Sequence, residues 1–230
     1  MNLKKLSGKL LLLILALIFA LSLSACGNNG ANNDEEDFAP LPAAAEKGTL
    51  YKNELDKFQL RYNEKTWSPL DEAMVSDDPD AIAAFKSRSP LDTEEISKQL
   101  QSLSVMFAGG SQNSEASINV RIEQGVGGDM ESLANAETMS ALEQHLLQVY
   151  IRVGNNPKTS SQTKIQKFGD NEFLIIQIDS TSADDTVSRI YQAISIIGGV
   201  SPVITLTCPA DSFSGYSSDI ELMLSSFKLN

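Results

Sequence analysis

Apolar positions change their period several times along this chain, and each change marks an element. Residues 10–23 form an apolar run broken only by Ser22. After a polar stretch, Phe58, Leu60 and Tyr62 alternate with polar neighbours, the period of a strand with one buried face. Residues 49–52 and 57–62 therefore predict an N-terminal hairpin turning over residues 53–56, with Trp67 as a core plug at its end. Asp77, Asp78 and Pro79 read as the entry to a short helix through Phe85. Asp92, Thr93, Glu94 and Glu95 open a second helix to about Leu100, with acids at its positive end. A strand is predicted over 103–108, a polar loop over 109–116 and a strand over 117–123, where Ile118, Val120 and Ile122 alternate.

The period then switches to 3.6. Met139, Leu142, Leu146, Val149 and Val153 make one stripe, predicting a helix over 132–152 that Gly154 and Pro157 end. Four strands follow over 161–168, 172–179, 186–196 and 203–208. Their connections are too short for parallel crossovers, so they form an antiparallel meander. Phe213, Tyr216, Ile220, Met223, Leu224 and Phe227 mark a closing helix over 211–227. Helices combined with an antiparallel sheet make the chain α+β.

The first 25 residues carry an address rather than a fold. Lys4, Lys5 and Lys9 precede the apolar run, whose length of about 14 residues suits a signal-peptide core and is short for a membrane span of about 20. Leu23, Ser24, Ala25 and Cys26 resemble the lipobox of bacterial lipoproteins. In that family the Cys thiol is diacylated and the chain is cut before it. The resemblance implies a signal peptide over 1–25, lipid on Cys26, and a protein held on the extracytoplasmic face of the cell membrane, since two acyl chains anchor stably. The alternatives are an ordinary cleaved signal peptide with an incidental Cys, or an uncleaved anchor. Residues 26–47 read as a tether: Gly and Asn first, then Asp34, Glu35, Glu36 and Asp37, then Pro and Ala. The acidic run lacks the alternating ligands and turn glycine of a calcium loop. Residues 48–230 then form a single globular domain.

Charge narrows the partners. The chain has 18 basic and 30 acidic side chains; removing residues 1–25 takes away three lysines and no acid, leaving a net charge of −15. Such a domain disfavours nucleic acid and anionic lipid surfaces. With Cys26 lipidated, Cys208 has no disulfide partner, and its place in a predicted strand reads as a buried, inert thiol.

The order of elements, with Phe58, Leu60 and Tyr62 near Trp67 at the start and Leu224, Phe227 and Leu229 at the end, resembles the superfamily that includes the PsbP extrinsic subunit of photosystem II and DcrB-like bacterial lipoproteins. The resemblance covers residues 49–229. It implies an α/β/α sandwich around a central antiparallel sheet, and a role in binding or assembly. It transfers no catalytic or ligand residue, because the shared positions are core positions.

Reactive chemistry is sparse. With one histidine, His145, no two-histidine zinc site can form, and no Gly-x-Ser-x-Gly elbow accompanies it. The glycines at 125, 127 and 128 lack the Lys-Ser/Thr ending of a phosphate loop. The acid pairs Asp77–Asp78, Glu94–Glu95 and Asp184–Asp185 sit where turns and helix starts favour acids anyway, though a carboxylate hydrolase depends on spacing that sequence does not show. Tyr51, Tyr62 and Trp67, with Tyr150 and Tyr191, are candidates to line a ligand or partner surface, or else core. The expectation is a non-enzymatic, membrane-anchored module for an envelope protein, without cofactor or metal. A small-ligand accessory lipoprotein of a transporter is the alternative, and a carboxylate-dependent hydrolase ranks last.

Overall fold

The computed structural model describes residues 47–229 apart from Pro90 and residues 112–113, so the expected signal peptide, Cys26 and the expected tether up to residue 46 lie outside the described residues. Strands β1 (Thr49–Asn53) and β2 (Phe58–Tyr62) pair as the expected hairpin, with Tyr51 opposite Leu60. Strand β3 (Trp67–Leu70) leads into three helices, α1 (Glu72–Asp77), α2 (Pro79–Lys86) and α3 (Thr93–Leu100). Their starts follow from side-chain caps. Asp71 accepts from Met74 N, Asp78 accepts from Asp80 N and Ala81 N ahead of Pro79 at the first turn, and Asp92 and Glu95 form a reciprocal capping box. The pattern of apolar residues did not single out α1, which has no buried residue of its own.

Strands β4 (Val105–Ser111) and β5 (Ser114–Gln124) follow, then α4 (Met130–Leu133) and α5 (Ala136–Arg152). The meander is β6 (Asn156–Thr159), β7 (Lys164–Phe168), β8 (Asn171–Thr181), β9 (Val187–Ile194) and β10 (Val200–Pro209). Helix α6 (Phe213–Ser226) and the short β11 (Lys228–Leu229) close the domain. The large sheet runs β3-β4-β5-β10-β9-β8-β6, with β7 also on β8; a small sheet runs β1-β2-β11; all pairings are antiparallel.

Two expectations need correction. Residues 109–111 and 114–116 are strand, not loop: the pairing of β4 with β5 continues through Gly109 opposite Ala116 and on to Ser111 opposite Ser114. Gly109 is there for packing, since a Cβ on it would lie 2.5 Å from Cζ3 of Trp67, its partner on β3. The predicted helix over 132–152 is two helices. Asn135 breaks it by turning its side chain onto Glu137 N and Thr138 N as the cap of α5. Val153 lies past the end of α5 and is 69% exposed, so the buried stripe stops short of it.

Alternation along the strands sorts the core into two faces. The front face takes Val105 and Phe107 of β4, Ile118 and Val120 of β5, Tyr191 and Ala193 of β9, and Ile204, Leu206 and Cys208 of β10; α6 and the small sheet cover it with Ile220, Met223, Leu224, Phe58 and Leu60. The back face holds two separate apolar clusters. One joins Met106 and Ala108 of β4 to Phe85, Ile96 and Leu100 of α2 and α3. The other joins Ile176 and Ile178 of β8, Ile190 and Ile194 of β9 and Val203 of β10 to Leu133, Leu142 and Leu146 of α4 and α5. The result is an α/β/α sandwich whose front layer includes the N-terminal hairpin.

Candidate functional site

Between the two back-face clusters run β5 and β10, and there, Val203 apart, the side chains are polar. Alternation puts Ser117, Asn119, Arg121 and Glu123 of β5 opposite the apolar front row, and Thr205 and Thr207 of β10 beside them. Register sets Ser117 against Thr207 and Asn119 against Thr205. All six are partly buried. The outcome is a polar trench two strands wide, flanked by α1–α3 on one side and α4–α5 on the other.

Several floor groups satisfy one another. Arg121 Nε meets Glu123 Oε1 at 2.7 Å. Burial lowers the Arg121 pKa, and Glu123 works against that. Gln192 Nε2 of β9 donates to Thr205 Oγ1 at 3.2 Å. The hydroxyl of Tyr150, on α5, hydrogen-bonds with that of Thr207, and burial raises its pKa. Asn119 Oδ1 is buried with no hydrogen-bond partner among the described residues.

At the end of the trench by the β8–β9 turn, the floor opens into a cavity of about 620 Å3. Ser117, Thr207 and Pro209 line its floor with Met106 and Ala108; Phe85, Arg88, Leu91 and Gln99 form one wall, and Ser182, Asp184, Thr186 and Ser188 the other. That volume lies in the range of small-ligand sites, about 300–1,000 Å3. Its two charged residues are held by neighbours. Arg88 Nη1 donates to the carbonyls of Lys65, at 2.9 Å, and Thr66. Asp184 accepts from the Ser182 hydroxyl and from Thr186 N at 3.3 Å, and these bonds lower its pKa, Ser182 most.

The aromatic candidates fall elsewhere. Trp67 is 1% exposed, Tyr51 4%, and Tyr62 packs half-buried against the front core, so Tyr51 and Trp67 do not line an open surface. Burial explains this: both are front-face core residues with their polar ends satisfied inside. Trp67 Nε1 donates to Asp219 Oδ2 at 3.0 Å. The Tyr51 hydroxyl donates to Asp71 Oδ2 at 2.5 Å while accepting from Asn53 Nδ2 at 3.1 Å. Burial first, then the bond to Asp71, drives the Tyr51 pKa far above its usual value. Tyr191 is buried beside Phe213. Tyr150 alone of the five reaches the trench floor.

The remaining candidates for reaction chemistry have structural positions. Asp78 and Glu95 cap helices, and Asp184 holds a turn. Cys208 faces the front core, where burial pushes its thiol up to about 11, against the pull of Arg189. His145 sits two residues from Glu143 on α5, about 200° round the helix and so on the opposite flank. Glu143 accepts from Thr159 of β6 at 2.7 Å. His145 Nε2 is buried without a partner among the described residues, and burial lowers its pKa. Among the described residues, no cluster of three or more His, Cys, Asp or Glu is placed to hold a metal, and no helix is long and apolar enough to cross a membrane.

No protein-family model matches the chain, and no curated protein does. Several solved structures superpose on it to differing extents. The cyanobacterial PsbP (CyanoP) of Synechocystis sp. PCC 6803 superposes with a TM-score of 0.50 at 13% identity, covering 90% of this chain and 99% of that one. The Ran-binding protein Mog1p of Saccharomyces cerevisiae gives a TM-score of 0.43 at 10% identity, over 80% of this chain and 95% of its own. A protein from Bacteroides thetaiotaomicron VPI-5482 gives 0.42 at 9%, over 80% of this chain and 48% of that one. At these identities the likeness is one of fold, and it is the fold of cyanobacterial PsbP that this chain is similar to across its domain.

Proposed function

We propose that this chain is an extracytoplasmic lipoprotein, anchored through lipid on Cys26, whose domain binds an envelope protein through the trench and catalyses no reaction. The trench carries this reading. A central strand of a sandwich is ordinarily apolar on both faces, yet β5 carries a row of polar, partly buried side chains between two helical layers, and that row opens into the cavity at its Ser117 end. A groove that mixes polar and apolar lining recognises; among the described residues it holds no nucleophile paired with a base, and Asp78, Glu95 and Asp184 of the acid pairs serve caps and a turn. Basic start, apolar run and lipobox support the anchor, and the 26–47 tether lets the domain stand off the membrane.

Two measurements test this. Cys26→Ser should abolish labelling by an alkyne fatty acid and leave the chain uncut before residue 26; unchanged labelling would remove the anchor. In-cell crosslinking followed by affinity purification should recover one partner with the whole chain and not with residues 1–47 alone. The cavity of about 620 Å3 favours a second reading, a small-ligand accessory lipoprotein of a transporter. A permease recovered as the crosslinked partner, with a small molecule co-purifying, would select it.

A further inference from the structure

We infer that the cavity at the end of the trench takes a short, extended, uncharged peptide segment of the partner, an inference that rests on the binding-module reading. Charge is the first argument. Arg88 Nη1 is held on two backbone carbonyls and Asp184 Oδ1 on its own turn, and with one charge of each sign the described lining has no net charge to select a charged ligand. What remains is neutral: Gln99, Ser117 and Ser188 have no side-chain hydrogen bond to another described residue. A Gln amide both donates and accepts, as does a Ser hydroxyl. They suit a ligand that alternates N–H and C=O along its length, as an extended backbone does.

The apolar lining is the second argument. Met106, Ala108, Leu91 and Pro209 offer small hydrophobic contacts between those polar groups. A saccharide would want an open aromatic face to stack on. Phe85, the one aromatic among the described lining residues, is 1% exposed. Uncharged side chains on alternate positions of a peptide can fill the apolar sites while the backbone pairs with Gln99, Ser117 and Ser188. This is the division of labour by which main-chain bonds supply affinity and pockets supply choice.

The test titrates the 15N-labelled full chain in detergent micelles with N-acetylated, C-amidated tetrapeptides in two pools, one of uncharged residues and one containing Asp, Glu, Lys and Arg, and with chitotriose as the saccharide probe. The uncharged pool should shift the amide signals of Gln99, Ser117, Ser188 and Thr207. Ser188→Glu and Gln99→Ala should each weaken that binding, the first at least tenfold. Equal or tighter binding of the charged pool, or binding of chitotriose alone, overturns the ligand class. No peptide binding, while trench positions still crosslink a partner in cells, overturns the peptide inference and leaves the module reading standing. Loss of both removes the two together.

Discussion

The two faces of the large sheet solve the same burial problem differently. The front face is one continuous apolar surface, sealed by α6 and the small sheet, with its few polar groups tied off: Trp67 to Asp219, Tyr51 to Asp71, Asn171 Nδ2 to the carbonyls of Leu224 and Phe227. The back face is covered in two patches and leaves β5 and β10 polar between them. Stability therefore resides mainly in front, and the capacity to bind resides behind. Substitutions on the two faces should separate accordingly.

The largest effect is expected at Trp67. Trp67→Ala empties a fully buried site and strips Asp219 of a donor, which should cost about 3–5 kcal/mol in urea unfolding. A loss under about 1 kcal/mol would mean that the front face is not the stability centre. Next is Gly109→Ala, whose methyl must displace the Trp67 ring from 2.5 Å; overpacking of this kind costs about 1–3 kcal/mol.

Alkaline pH sharpens the contrast. Tyr51 and Tyr191 stay protonated in the fold well above their ordinary value of 10, chiefly because they are buried. Their folded pKa exceeds the unfolded one. The stability this represents is whole below about pH 10 and is lost as pH climbs towards the folded pKa, because only the unfolded chain releases the protons. Unfolding midpoints should fall as pH rises above about 10, and the double variant Tyr51→Phe, Tyr191→Phe should flatten that fall. Tyr51→Phe also leaves Asp71 without its phenol donor, at about 1–3 kcal/mol near neutral pH. A pH profile identical in the double variant would refute the assignment.

Smallest is the trench. Ser117→Ala should change stability by no more than about 0.5 kcal/mol. Asn119→Leu removes a buried acceptor that lacks a partner and should be neutral or stabilising. A penalty above about 2 kcal/mol at either position would make the trench part of the core.

How much of this was legible in the sequence differs between the faces for a physical reason. Period-two alternation at 58–62 and 117–123 marked the front-face strands, and short connections made the meander antiparallel. Local chemistry hid Gly109, which reads as a loop residue unless Trp67 is known to lie over it, and Asn135, whose capping competes with an otherwise good helical stripe. Strands β6 and β11 are too short to show a period. The trench was visible only as the ordinary polar half of an alternating strand. Ser117, Asn119, Arg121 and Glu123 become unusual once β5 is known to lie in the middle of the sheet, which depends on pairings distant in sequence. The aromatic residues misled in the opposite sense: Tyr51 and Trp67 have polar ends that suit a binding surface, and those ends are satisfied inside.

Whether the trench is the contact surface can be read by placing a photocrosslinking amino acid at Ser117 in the trench or Ser188 on the cavity wall and, as a control, at exposed Glu221 on α6, in cells carrying the full chain. A contact surface in the trench gives one shared crosslinked partner from Ser117 and Ser188 and none from Glu221. The same partner captured from Glu221, with the trench positions silent, would contradict it and move the binding surface to the front of the molecule.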